Sequence, residues 1–150
     1  MNVLEGLIQT NPLFSDFYPP DVFEMRIKEE MVRSKAFGNS FAYIELTLNA
    51  GLEKVISLED QKKMWLQIIE VVIQMLRGSD VKGALIKRYG FGVLLLDTHE
   101  HAMKRLENRI EAKLQEEELL HHLPHGIKDM MMGYLLPEDS KERLSSGDRS

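Results

Sequence analysis

The 150-residue chain contains no cysteine, which excludes disulfides, thiolate metal sites and cysteine nucleophiles and suits a reducing compartment. No apolar run approaches the ~18–20 residues that a membrane-spanning helix needs. The opening residues, MNVLEGLIQTN, have neither the basic start nor the apolar stretch of a secretory signal. Positive charge is scarce: 19 Lys and Arg against 24 Asp and Glu leave a net charge of −5, which disfavours nucleic-acid binding by bulk electrostatics. Nucleophile elbows of the G-x-S-x-G type are absent, as are internal repeats. What is present, 43% apolar and 29% charged residues, is ordinary for one globular core. The expectation is a cytoplasmic domain without membrane insertion.

Residues 1–20 are apolar pieces broken by Asn11-Pro12 and Pro19-Pro20, and read as an N-terminal arm or linker with at most a helical turn at Val3–Ile8. From Asp21, Phe23, Ile27 and Met31 recur four apart, which predicts a helix ending at Gly38-Asn39. Phe41 to Leu48 is rich in strand formers and is broken by Asn49-Ala50-Gly51. Ser57 and Asp60 resemble a helix cap ahead of the apolar face Trp65, Ile68, Ile69, Val72, Ile73 and Leu76, with Gly78 as the stop. Two short strands, 81–87 and 92–96, are close enough for an antiparallel hairpin around Arg88-Tyr89-Gly90-Phe91. Thr98 is the expected cap of a helix carrying Met103, Leu106, Ile110 and Leu114; a polar connection and a last strand, 127–136, follow. Residues 21–137 thus form the domain and 138–150 a polar, disordered tail. The order predicts an α+β fold, a ferredoxin-like βαββαβ core with an antiparallel sheet and helices on one face.

Several stretches, in order, make the chain resemble the GGDEF domain, the diguanylate cyclase module of bacterial cyclic-di-GMP signalling. They are Asn11-Pro12-Leu13 with Asp21-Val22-Phe23-Glu24 at the entry, residues 34–41 at the corner into the first strand, Asp80 to Leu96 around the signature turn, and Met131 to Asp139 at the last strand. The resemblance spans roughly residues 11–140 and implies the same βαββαβ arrangement. In the family the signature turn supplies glycines and an acid for metal, and the first strand ends in two metal-binding acids. Here the turn is Arg88-Tyr89-Gly90-Phe91-Gly92, without a carboxylate; Glu45 stands at the first acid of the strand and Thr47 at the second. Two-metal phosphoryl chemistry needs convergent carboxylates. The expectation is a degenerate, non-catalytic domain with Glu45 as a vestigial metal ligand. It would act through protein–protein interaction, the altered turn Arg88 to Gly92 serving as the contact surface and a homodimer as one form.

Arg77 and Asp80 have the R-x-x-D spacing of the family's inhibitory site, so cyclic-di-GMP reception is the alternative. The plainer reading is an arginine at a helix end and an aspartate in a turn. Residual GTP binding or cyclase activity through Glu45 is a third. No cofactor is expected. His121, His122 and His125, with His99 and His101 elsewhere, lack the regular face that would gather a zinc site. Lys82, Lys87, Arg88, Lys104, Arg105 and Arg109 read as solvated helix and strand surface.

Overall fold

β1 (Phe41–Thr47) is the spine of the sheet, pairing antiparallel with β3 (Gly90–Leu95) on one side and β4 (Met131–Leu136) on the other. β2 (Val81–Ala84) adds to the free side of β3, giving the order β2-β3-β1-β4. The structure is a computed structural model and describes residues 1–117 and 123–137. His121, His122 and the expected tail at 138–150 lie outside the described residues.

Strand alternation splits the side chains into two layers. Ala42, Ile44 and Leu46 of β1 join Phe91, Val93 and Leu95 of β3 under two helices, α4 (Leu58–Met75) and α5 (Glu100–Leu114). These helices contribute Trp65, Ile68, Ile69 and Val72, and Met103, Ile110 and Leu114, the stripes that the sequence periodicity predicts. The opposite face is not bare. α2 (Pro20–Phe37) lays Phe23, Ile27 and Met31 against Phe41, Tyr43, Val81 and Leu94. The βαββαβ core therefore carries helices on both faces, where one was expected. α2 ends as the sequence suggests, on Gly38 at φ 73°.

The first twenty residues are not a linker. Asn2 and Glu5 form a reciprocal capping box for α1 (Val3–Thr10), which buries Leu4 and Leu7 and packs on α4. A 3-10 turn (Pro12–Phe14) follows, and Phe14 and Phe17 enter the core in edge-to-face contact with each other, Phe17 meeting Phe91 in the same way. Tyr18 then runs along β2, its N–H donating to the Lys82 carbonyl and its carbonyl accepting from Ala84 N–H. The prolines break the local helix as expected but leave the side chains free to bury.

Three local expectations also change. Asn49 does not merely break the chain: its side chain accepts from Leu52 N–H and caps α3 (Ala50–Val55). His99, not Thr98, caps α5, because the Thr98 hydroxyl is engaged with the Leu96 carbonyl and Arg77. The last strand is shorter than expected: a 3-10 turn (Gly126–Asp129) precedes it, and Met130 is buried before β4 begins.

Candidate functional site

The hairpin turn is residues 85–89, because β3 starts at Gly90, two residues before the position expected from sequence. A side chain at Gly90 is sterically barred: its Cβ would stand 2.0 Å from the Leu46 carbonyl oxygen. The turn faces Glu45 of β1, which is buried and shares its Oε2 between two donors, the Tyr43 hydroxyl at 2.6 Å and Arg88 Nη2 at 2.5 Å. The floor beside it is glycine. Gly83 and Gly92 are register partners, and Gly92 is also opposite Glu45. Added Cβ atoms would fall 2.1 Å and 2.8 Å from the Phe23 ring, which lies over both. A cavity of about 270 Å³ opens here between α2 and the turn, lined by Glu24, Ile27, Tyr43, Glu45, Leu85 and Arg88 among others. Burial, together with the hydrogen bond to the Glu45 carboxylate and its charge, pushes the Tyr43 phenol far above the usual tyrosine range.

Of the five turn residues expected to form a contact surface, only Arg88 is exposed. Gly90, Phe91 and Gly92 are buried in the sheet, and Tyr89 points inward. The Tyr89 hydroxyl accepts from Trp65 Nε1 at 3.0 Å and donates to Gln61 Oε1 at 2.8 Å. Gln61 in turn donates to the carbonyls of Glu53 and Ile56, so the network ties the turn to the α3–α4 corner. Burial raises the Tyr89 phenol, with the Trp65 hydrogen bond opposing it. The sequence alternation left this orientation open; the pairing of Leu46 with Phe91 settles it, placing Phe91 on the core face.

Arg77 and Asp80 do come together. Asp80 accepts from Arg77 N–H at 2.8 Å and from its guanidinium at 3.2 Å, while the same guanidinium donates to the Leu96 carbonyl at 2.6 Å and to Thr98 Oγ1 at 3.1 Å. The pair therefore locks the α4–β2 connection to the β3–α5 connection. It also borders a cavity of about 360 Å³ whose other side is formed by His99, Arg105 and Arg109 of the α5 region. Three guanidiniums and the carboxylates of Asp80 and Asp97 surround this hollow, and because Asp80 is already paired with Arg77, Arg105 and Arg109 give it a modest positive excess that their sequence separation concealed. Of the histidines, His99 is a helix cap and His125 donates its backbone N–H to Asp129. Among the described residues no three His, Asp or Glu side chains converge as a metal site, and no helix is long and apolar enough to cross a membrane.

No protein-family model and no curated protein sequence matches the chain. Solved structures do. A DGC protein from Thermotoga maritima superposes with a TM-score of 0.62 at 14% identity, covering 93% of this chain and 98% of that one. Diguanylate cyclase SiaD from Pseudomonas aeruginosa, solved with its activator SiaC, gives 0.56 at 16% identity over 97% of this chain and 57% of its own. The coiled coil and GGDEF domain of DgcB from Caulobacter crescentus, solved with c-di-GMP, gives 0.57 at 6% identity over 88% of this chain and 73% of its own. The match lies in the shape of the chain and not in its sequence, and by that shape the chain has the fold of these GGDEF domains.

Proposed function

We propose that this GGDEF-like domain is catalytically silent and serves signalling through binding. The Arg88–Glu45 ion pair carries this reading. Phosphoryl transfer of the two-metal type uses several carboxylates to hold divalent ions against the reacting oxygens. The acid expected as a metal ligand is buried and already satisfied by a cation of its own chain, and Gly90, Phe91 and Gly92 are buried in the sheet. A tethered guanidinium neutralises the carboxylate without supplying a Lewis acid or an exchangeable coordination position. Incubation with GTP and Mg²⁺ or Mn²⁺, followed by chromatography, is expected to give no dinucleotide product. Product that disappears in Glu45→Ala overturns the reading.

A second reading has its own support. SiaD is bound to an activator protein and DgcB to c-di-GMP in their solved structures. Here the cavity bordered by Arg77, Arg105 and Arg109 offers guanidiniums to phosphate or guanine, which favours cyclic-di-GMP as a ligand. Arg77 has structural partners as well, so Arg109→Ala is the cleaner probe. Calorimetric titration with the dinucleotide is expected to release heat that this variant reduces; no heat and no thermal shift at high ligand remove this reading and leave protein partners.

A further inference from the structure

A helix on a protein surface normally turns one apolar stripe to the core and a polar face to water. α2 does not. Phe23, Ile27 and Met31 meet the sheet, yet Met25, Val32 and Phe37 are 63%, 70% and 73% exposed. Val22, Met25, Glu29, Val32 and Ala36 follow one another at steps of three, four, three and four, and all five are exposed. That spacing is the seam of a helix that meets another helix. At 100° per residue the seam lies opposite Phe23, Ile27, Glu30 and Ser34, which face the protein.

The charges beside the seam indicate what covers it. Asp21 and Glu24 lie in the first turns of α2, and Lys35 lies in the last. On the other flank, Arg26 and Arg33 are held within the helix by buried Glu30, at 3.0 Å and 2.6 Å. Burial alone would raise the Glu30 carboxyl, but the hydrogen bonds from the two arginines outweigh it and keep the group below its usual range. An antiparallel second helix of the same sequence sets Asp21 beside Lys35 at both ends, Met25 against Val32, and Lys28 near Glu29 at the two-fold axis. A parallel arrangement stacks like on like. The chain's own C-terminal segment is a poor occupant, since residues 138–150 hold a single apolar residue, Leu144.

We infer that the exposed face of α2 is a docking surface for a second copy of this chain, the two α2 helices packing antiparallel about a two-fold axis. The inference rests on the reading that the domain works by binding and specifies one partner for it. It uses the outer face of α2 and not the altered turn that α2 borders, and an isologous contact of this kind is the commonest symmetry of soluble oligomers.

Sedimentation velocity of the full chain across low to high micromolar concentration tests it. The wild type is expected to shift from monomer to dimer, and Met25→Asp with Val32→Asp to remain monomeric with unchanged circular dichroism, because both side chains are exposed. Asp21→Lys and Lys35→Asp are each expected to weaken association about tenfold, and an equimolar mixture to restore it by pairing the new charges across the axis. A wild type that stays monomeric throughout, or a dimer undiminished by the Met25 and Val32 changes, overturns the proposal; a mixture that does not recover overturns the antiparallel arrangement. Product from GTP would sink the silent-domain reading without touching this result, so the two failures are distinguishable.

Discussion

Arg88→Ala removes the one cationic partner that a buried carboxylate has among the described residues. The Glu45 side chain is 6% exposed, and after the change only the Tyr43 hydroxyl remains to satisfy it. Deleting one partner of a fully buried pair costs about 3–5 kcal/mol. Arg88 itself is 57% exposed, so solvent screens the lost attraction and admits water to the vacated space, which brings the expected cost to about 1–2 kcal/mol. With a urea dependence of about 2 kcal/mol per molar, the unfolding midpoint falls by about 0.5–1 M with an unchanged slope. Glu45→Gln in the Arg88→Ala background removes the stranded charge, so the double variant should lie above the Arg88→Ala single variant, with a coupling of about 1 kcal/mol. Equilibrium urea unfolding of the four proteins of the cycle provides the measurement. An Arg88→Ala midpoint equal to wild type, or effects that simply add, would refute the view that Arg88 is the internal counter-ion of Glu45.

Three other perturbations have definite expected outcomes. Gly83→Ala drives a Cβ to 2.1 Å from the buried Phe23 ring and should cost about 1–3 kcal/mol in thermal unfolding; pairing it with Phe23→Ala should cost less than the sum of the two single changes. Tyr89→Phe strips the acceptor from Trp65 Nε1 and the donor from Gln61, both buried residues, and should lower stability by about 1–3 kcal/mol, visible as a reduced melting temperature. Tyr43, raised by burial and by its bond to Glu45, stays neutral in the folded chain where the unfolded chain ionises. Its contribution is therefore complete below the ordinary value of 10.0 and is lost as the pH climbs beyond it. Phenolate absorbance should show a late-ionising component that Tyr43→Phe reduces, the remainder belonging to Tyr89, which burial also raises.

The architecture was legible because it rests on periodicity. The fourfold recurrence of Phe23, Ile27 and Met31 and the faces of α4 and α5 are burial patterns, and burial is what a sequence encodes most redundantly. The site was legible only in part. Glu45 and the Arg77–Asp80 pair could be picked out as residues, but their partners come from distant segments: Arg88 lies 43 positions from Glu45, and Thr98 lies 21 from Arg77. The inward turn of Tyr89 and Phe91 depends on strand register, which a one-residue shift reverses. The first twenty residues misled because proline reports backbone conformation and is silent about where neighbouring phenylalanines go. Phe14 and Phe17, at the breaks, were the available hint.

Tyr18 has a wider consequence. An uncovered strand rim is a template on which like chains polymerise. By lending its own amide and carbonyl to Lys82 and Ala84, Tyr18 occupies the outer rim of β2. A version shortened to start at Asp21 would lose that guard together with the phenylalanines packed in the core beside Phe91, and would be expected to clump before its helices melt. The leading segment thus acts as an internal stopper against sheet growth.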